Sequence, residues 1–484
     1  MPTPALPRST PSAQGVDVHG ITAFVDALEE APHVEPHSLM LLRHGHVVAE
    51  GWWAPYAPDR LHLLYSLSKC FTVTALGLAI DEGRLSLDDT VISHFPELDA
   101  EITDARTRRI LVRHLAAMAS GHGEDELGAA QAADPKDLVR GFLLLPPVAE
   151  PGTLFAYNQP CTYTLATILG RVTGGSMLDY LRPRVLDPLG IGRLAWQRDA
   201  IGQELGYAGL HATTEDVARL GQLHLQRGLW QGRRLLSADW VAQASRLQVA
   251  SPGVLNGIDW QQGYGFQLWM ARHGYRADGA FGQFCVVLPE HDAVLALTAE
   301  TMDMQAVLDT AWTHLLPALS TPSAPDPAAE AALAGRLARA ELPRAPGSAR
   351  PAAGTADAWR TFSGRASTAV PLTLAVGASP AGDGGWHASI DAVDTDGTAL
   401  HLDVPMGTDG WVVAAPAGPD GAPLPLATSA AWPDEHTLHL DVVLLETPHR
   451  LRITATLPDR AVTATWRTTP LWDGPIHQLR APAG

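Results

Sequence analysis

Ser66 and Lys69 stand three residues apart in Tyr65-Ser66-Leu67-Ser68-Lys69-Cys70, just ahead of Phe71-Thr72-Val73-Thr74-Ala75-Leu76-Gly77-Leu78-Ala79. On a helix that spacing puts both side chains on one face. A serine hydroxyl becomes a useful nucleophile when a nearby base takes its proton, and a lysine held in a partly desolvated cleft can be that base. Amides at a helix start also favour developing negative charge. Apolar residues at 71, 75, 78 and 79 fit one helical stripe, which Asp81-Glu82-Gly83 ends. The chain has only two lysines, Lys69 and Lys136, and arginine supplies every other strong positive charge. Arginine does not readily lose its proton, so Lys69 is the cation able to act as a base beside a serine. The chemistry this pair suggests is acyl transfer.

A serine attacking an acyl carbon also needs a proton route to the leaving group and donors for the oxyanion. Tyr157, after the turn Pro151-Gly152-Thr153, is the candidate for the first. A neighbouring ammonium would lower its pKa and let it relay a proton.

The Ser66-x-x-Lys69 pair resembles the signature of the serine β-lactamase and penicillin-binding-protein superfamily. Within it, the chain is most similar to the class C-type β-lactamase-related serine hydrolases, esterases and D-aminopeptidases among them, that carry an accessory C-terminal β domain. Pro151-Gly152-Thr153-Leu154-Phe155-Ala156-Tyr157 is similar to the second signature, in which tyrosine is followed by one residue and then asparagine. Here Gln159 stands in the asparagine place and Asn158 one place early. Gln159 can offer its amide to a substrate or to Lys69, and Asn158 can hold the turn. The third signature, Lys-Thr-Gly or His-x-Gly on an edge strand, is best matched by Ala277-Asp278-Gly279, followed by Ala280. The resemblance implies that Gly279 lets the strand approach the serine and that the Ala280 N–H joins the Ser66 N–H as oxyanion donors. Ala277 takes the place of the usual cation or imidazole. Asp278 reads as a turn residue whose charge disfavours carboxylate substrates. The similarity spans about residues 15–320.

A length of 484 residues calls for two domains. The net charge of -18 argues against nucleic-acid backbone as a partner. No membrane-spanning apolar run and no secretory leader is visible, and the odd, scattered Cys70, Cys161 and Cys285 resemble no disulfide framework, which points to the cytoplasm. The histidines form no compact zinc set, and neither a dinucleotide fingerprint nor a phosphate loop is present, so no metal and no cofactor is expected.

Hydrophobic periodicity predicts a helix over 16–30, then a hairpin of Ser38–Leu42 and Val47–Trp53. Helices follow near 110–118, 162–172, 177–185 and after Thr213 or Thr214. Strands are expected from Gly263 through Leu297, with Arg276–Gln283 as a Gly-punctuated turn, and a closing helix over Thr310–Leu316. The fold expected is α/β (α+β) of the β-lactamase/transpeptidase type, an antiparallel sheet flanked by helices with a helical lobe. It would occupy residues 1–320, with a Pro/Ala-rich linker holding a short helix at 321–357. Alternating short runs, including Leu372-Thr373-Leu374, Leu400–Val404, Leu438–Leu444 and Leu451–Ala455, give an antiparallel all-β barrel or sandwich at 358–484.

The function expected is a serine hydrolase that forms an acyl-enzyme on Ser66 with a small-molecule acyl substrate, first an esterase. β-Lactamase, D-aminopeptidase and short-oligomer amidase activities are alternatives within that chemistry, and a catalytically silent ligand-binding protein is the alternative outside it. A homo-oligomer is compatible with the sequence and not specified by it.

Overall fold

Asp17 accepts the His19 N–H and starts helix α1 (Val18–Glu30), which buries Val18, Ile21, Phe24, Val25 and Leu28 along one face. Strands β1 (Glu35–Arg43) and β2 (His46–Trp52) then form the expected hairpin. The computed structural model describes all residues except 1–4, 255–256, 321–323, 361, 367–372, 381–384, 394–396, 472–473 and 483–484. With β3 (Trp269–Met270), β4 (Tyr275–Gly279), β5 (Gln283–Leu288) and β6 (Ala293–Glu300), the hairpin makes an antiparallel sheet of order β2-β1-β6-β5-β4-β3. The first segment thus pairs with one reached about 250 residues later: Leu39 faces Leu297 and Leu41 faces Leu295. β1 and β6 are buried on both faces, which explains the apolar runs Leu39–Leu42 and Ala293–Leu297.

Three helices matter to the site: α2 (Lys69–Asp81), α3 (Gln159–Thr173) and α4 (Thr214–Leu225). Thr213 caps α4 in a reciprocal box with Asp216, and the helix packs across β1, β5 and β6. The expected stripe on α2 is not a stripe, because every residue from Lys69 to Ala79 is buried. α2 runs through the interior, with α3 against it and Trp240 pressed on Gly77. A Cβ at Gly77 would sit 2.1 Å from Trp240 Nε1 and 2.2 Å from its Cδ1. Gly77→Ala is therefore expected to lower stability by about 1–3 kcal/mol, read as a fall in Tm, although alanine is the better helix former.

A nine-stranded sheet forms from the later chain: β7 (Phe362–Ala366), β8 (Thr373–Pro380), β9 (Trp386–Val393), β10 (Ala399–Met406), β11 (Val412–Ala414), β12 (Leu426–Ala431), β13 (Thr437–Leu444), β14 (Arg450–Thr456) and β15 (Ala461–Trp466). Its order is β10-β9-β8-β7-β15-β14-β13-β12-β11. Leu372 lies outside the described residues; the rest of that expected run opens β8. All pairs are antiparallel except β7 with β15. The sheet curls back on itself, since the Ala430 N–H donates to the Gly407 carbonyl at 2.9 Å and Thr428 Oγ1 to the Pro405 carbonyl at 2.5 Å. Trp359 and Trp432 fill its core.

The two sheets are tied together. Helix α5 (Pro327–Leu337) buries Leu333 and Leu337 in the first core. Arg450 on β14 donates to Glu35 on β1 at 2.8 Å and to Asp441 on β13 at 2.5 Å, and all three are buried. Ala427 and Val443 from the second sheet, and Leu445 just after β13, also pack into the first core.

Candidate active site

Ser66 does not lie within α2. It sits in a 3₁₀ turn, Tyr65–Ser68, that runs into Lys69 at the head of the helix. The tighter turn still stacks residues three apart, so Lys69 Nζ reaches Ser66 Oγ at 3.1 Å. Two further contacts fix the amine: Gln159 Oε1 at 2.8 Å and the Tyr207 carbonyl at 2.9 Å. Both of those oxygens can only accept. A neutral amine has two N–H bonds and one lone pair. With both N–H bonds committed to Gln159 and Tyr207, the lone pair faces the Ser66 hydroxyl. Lys69 is 1% exposed, and burial pulls its pKa from 10.5 down to about 7 against the opposing influence of Asp125 and Asp278.

That position has a measurable consequence. With Lys69 as the proposed base, its neutral amine forms as pH rises through the folded-state value, so kcat/KM for a neutral ester should climb with an apparent pKa near 7. The stability sign agrees. Between about 7 and 10.5 the unfolded chain keeps a proton that the folded chain has released, so this group's contribution to stability rises with pH across that window.

Tyr157 is brought to the same place. Lys69 Nζ lies over its ring, 4.6 Å from the centroid, and the ring stacks on Trp269 at 5.3 Å with Tyr264 edge-on at 6.1 Å. The expected lowering of its pKa does not occur. Burial among these rings raises it well above 10, helped by the negative Asp278, and the hydrogen bond to Ser66 offsets only part of this. Lys69 lies over the face of the ring and, drawn toward its neutral form by burial, offers a phenolate little positive charge, so the phenol keeps its proton. Tyr157 is thus a neutral donor facing Ser66.

Gln159 reaches Lys69 from the first position of α3, so its extra length is spent on the amine. Asn158 is fully buried and points away, with Oδ1 accepting the Glu126 N–H at 3.1 Å. It holds the 125–127 loop, whose Asp125 in turn accepts the Gln159 N–H at 3.0 Å.

Gly279 ends β4 against the turn that carries Ser66. A Cβ there would lie 2.0 Å from the Leu64 carbonyl oxygen and 3.0 Å from the Leu67 nitrogen. Ala280 follows, so its N–H and that of Ser66 come from adjoining backbone. Asp278 is not a turn residue: it is a buried strand residue whose carboxylate accepts from Arg276 Nε at 2.9 Å. Residues 276 and 278 share one face of β4, whereas Ala277 pairs with Cys285 and turns to the face covered by α4. Arg276 is itself held over the Trp260 ring, 4.4 Å from its centroid. The Asp278 charge is therefore balanced by Arg276, which removes the simple repulsion expected of it.

Arg276, Tyr207 and Trp269 are the residues of this site that sequence reasoning missed. Arg276 had a signal: opposite charges two apart before a glycine suit one buried strand face. The Tyr207 carbonyl had none, because a backbone acceptor is placed by the fold alone.

Among the described residues, one group could hold a cation: Glu35, His37 and Glu300, all buried. Arg450 pairs with Glu35, and Arg467 lies 3.6 Å from Glu300 and 3.8 Å from Glu35, so positive charge already faces these carboxylates. Glu35, with Arg450 and Arg467, lines a cleft of about 960 Å³ between the two sheets whose lining does not include Ser66.

Residues 21–320 match the Beta-lactamase family model, and the chain belongs to that family of serine hydrolases. It is 28% identical to a 6-aminohexanoate-dimer hydrolase of Paenarthrobacter ureafaciens over 324 residues, 61% of this chain and 81% of that one. It is 26% identical to penicillin-binding protein 4 of Amycolatopsis lactamdurans over 324 residues, 56% and 82% of the two chains. Among solved structures, EstCE1, a hydrolase with promiscuous acyltransferase activity, superposes with a TM-score of 0.50 at 19% identity, covering 62% of this chain and all but 1% of its own. No described helix is long and apolar enough to cross a membrane.

Proposed function

We propose that this hydrolase attacks small acyl esters through Ser66, with Lys69 as base and Tyr157 as proton donor. The observation that carries the reading is Lys69 Nζ seated 2.8 Å from Gln159 Oε1 and 2.9 Å from the Tyr207 carbonyl, both acceptors only, and 3.1 Å from Ser66 Oγ; in the neutral amine those two acceptors take both N–H bonds and leave the lone pair to Ser66. Neutral Lys69 takes the Ser66 proton as Oγ bonds to the acyl carbon. The carbonyl oxygen becomes the oxyanion, facing the Ser66 and Ala280 N–H groups. When the intermediate collapses, Tyr157 gives its proton to the leaving alkoxide and regains one from the Lys69 ammonium. Water then attacks the acyl-enzyme by the same path, returning the proton to Ser66.

Amide hydrolysis of short amine-bearing oligomers is the second reading. It is favoured by the 6-aminohexanoate-dimer hydrolase relative and by Asp125, an exposed carboxylate close enough to act on Lys69. The test is a panel of p-nitrophenyl esters, nitrocefin, D-alanyl amides and aminohexanoate oligomers, run beside mass spectrometry after fluorophosphonate treatment. Turnover of the esters above the rest, with one adduct on Ser66, is the expected result. Faster amide turnover selects the second reading. No adduct and no turnover would mark a silent binding protein on this scaffold.

A further inference from the structure

His449 closes the connection between β13 and β14 of the C-terminal sheet, yet its imidazole ends beside the nucleophile turn. The connection between β13 and β14, residues 445–449, enters the first unit. The Leu63 N–H donates to the Glu446 carbonyl at 2.9 Å, the Tyr56 hydroxyl donates to the Thr447 carbonyl at 2.9 Å, and Leu445 packs in the first core. His449 Nδ1 faces the Thr468 carbonyl at 3.3 Å, an atom that can only accept, so the ring proton is there and Nε2 carries a lone pair. The Tyr65 hydroxyl donates to that Nε2 at 2.5 Å. Burial holds the imidazole neutral, with a pKa lowered to about 3.

Tyr65, Phe281 and His449 pack as three mutually edge-on rings, with centroids 5.1, 5.9 and 4.9 Å apart. Tyr65 immediately precedes Ser66, and Phe281 immediately follows Ala280. Both aromatic residues hold left-handed backbone, φ +48° and +66°. For residues with a Cβ this conformation costs about 1–3 kcal/mol and persists only when the surroundings impose it. The same two residues thus flank both oxyanion amides, carry strained backbone, and touch one imidazole from the connection between β13 and β14.

We infer that His449 is a positioning residue for the oxyanion donors: by holding Tyr65 and Phe281 it sets the direction of the Ser66 and Ala280 N–H groups. The C-terminal sheet is then a working part of the active site. This rests on the proposal that those two amides receive the oxyanion.

The full chain is compared with His449→Ala, His449→Gln and Tyr65→Phe, using p-nitrophenyl ester kinetics per titrated active site and affinity for an aryl boronic acid that forms a tetrahedral adduct on serine. His449→Ala should lower kcat about tenfold, short of the ~10²–10³-fold cost of losing one oxyanion donor outright, with KM within about twofold. Boronate affinity should fall in proportion to kcat/KM. Tyr65→Phe, which keeps the ring packing and removes only the hydroxyl donor, should reproduce the direction of the loss and decides the matter where His449→Ala fails to fold. His449→Gln, whose amide oxygen can accept from Tyr65, should recover most of the rate. A fall in Tm or in titratable sites with kcat per site unchanged overturns the positioning role and leaves the Ser66 reading standing. A wild-type protein that forms no boronate or fluorophosphonate adduct on Ser66 overturns both.

Discussion

Lys69→Arg is expected to silence the hydrolase almost as completely as Ser66→Ala. Arginine keeps its charge at every working pH, so it supplies no lone pair to the Ser66 hydroxyl. A positioned general base contributes about 10²–10⁴-fold, and kcat/KM for a p-nitrophenyl ester should fall by that order. Part of the loss is steric, because the planar guanidinium must fit where Gln159, Tyr207 and the Tyr157 ring close around a single ammonium. Lys69→Met separates the two causes, since it removes the base without adding bulk and should lose a similar factor. Groups that act as one unit are not additive, so Ser66→Ala/Lys69→Arg should be no slower than Ser66→Ala alone. A Lys69→Arg enzyme with wild-type turnover, or a double variant far worse than either single one, would assign the base to another residue.

The parts of this site written in local sequence are those that local structure can express. Ser66 and Lys69 are three apart, and either an α-helix or the observed 3₁₀ turn brings them together, so the pair was legible even though the type of turn was not. The hairpin of β1 and β2 and the cap of α4 at Thr213 were legible for the same reason. The pKa of Tyr157 was not, because its sign depends on Trp269, Tyr264 and Asp278, which arrive from more than 100 residues away. From sequence alone Asp278 reads as a turn residue, because charge and glycine usually mark loops. Arg276 overrides that by satisfying the carboxylate inside the strand. The burial of α2 on all sides depends on α3 and Trp240, so its own apolar spacing could not reveal it. The contact of His449 with Tyr65 spans 384 positions, and nothing near either residue announces it.

Gly279→Ala is the second large effect expected, and it tests the other half of the site. The added Cβ would fall 2.0 Å from the Leu64 carbonyl oxygen and 3.1 Å from its carbon, both backbone atoms of the segment entering the turn that carries Ser66. The Leu64 N–H is tied to the Leu210 carbonyl at 2.8 Å, and the Leu67 N–H bonds back to the Leu64 carbonyl at 3.1 Å, so that segment has little room to retreat. The strand must move instead, and β4 carries Ala280 with it. Removing one oxyanion donor costs about 10²–10³-fold in kcat, and displacement of the Ala280 N–H should approach that range. KM should change much less, because the donor acts on charge that develops after binding. Gly128→Ala is the matched control: it adds the same methyl on a helix where nothing lies within 4 Å, and activity should be unchanged. A folded Gly279→Ala enzyme with the kcat of the control would detach β4 from the oxyanion and require the second donor to come from elsewhere. The expected pattern, kcat lost with KM nearly kept, would tie the rate to the spacing between one strand and one turn.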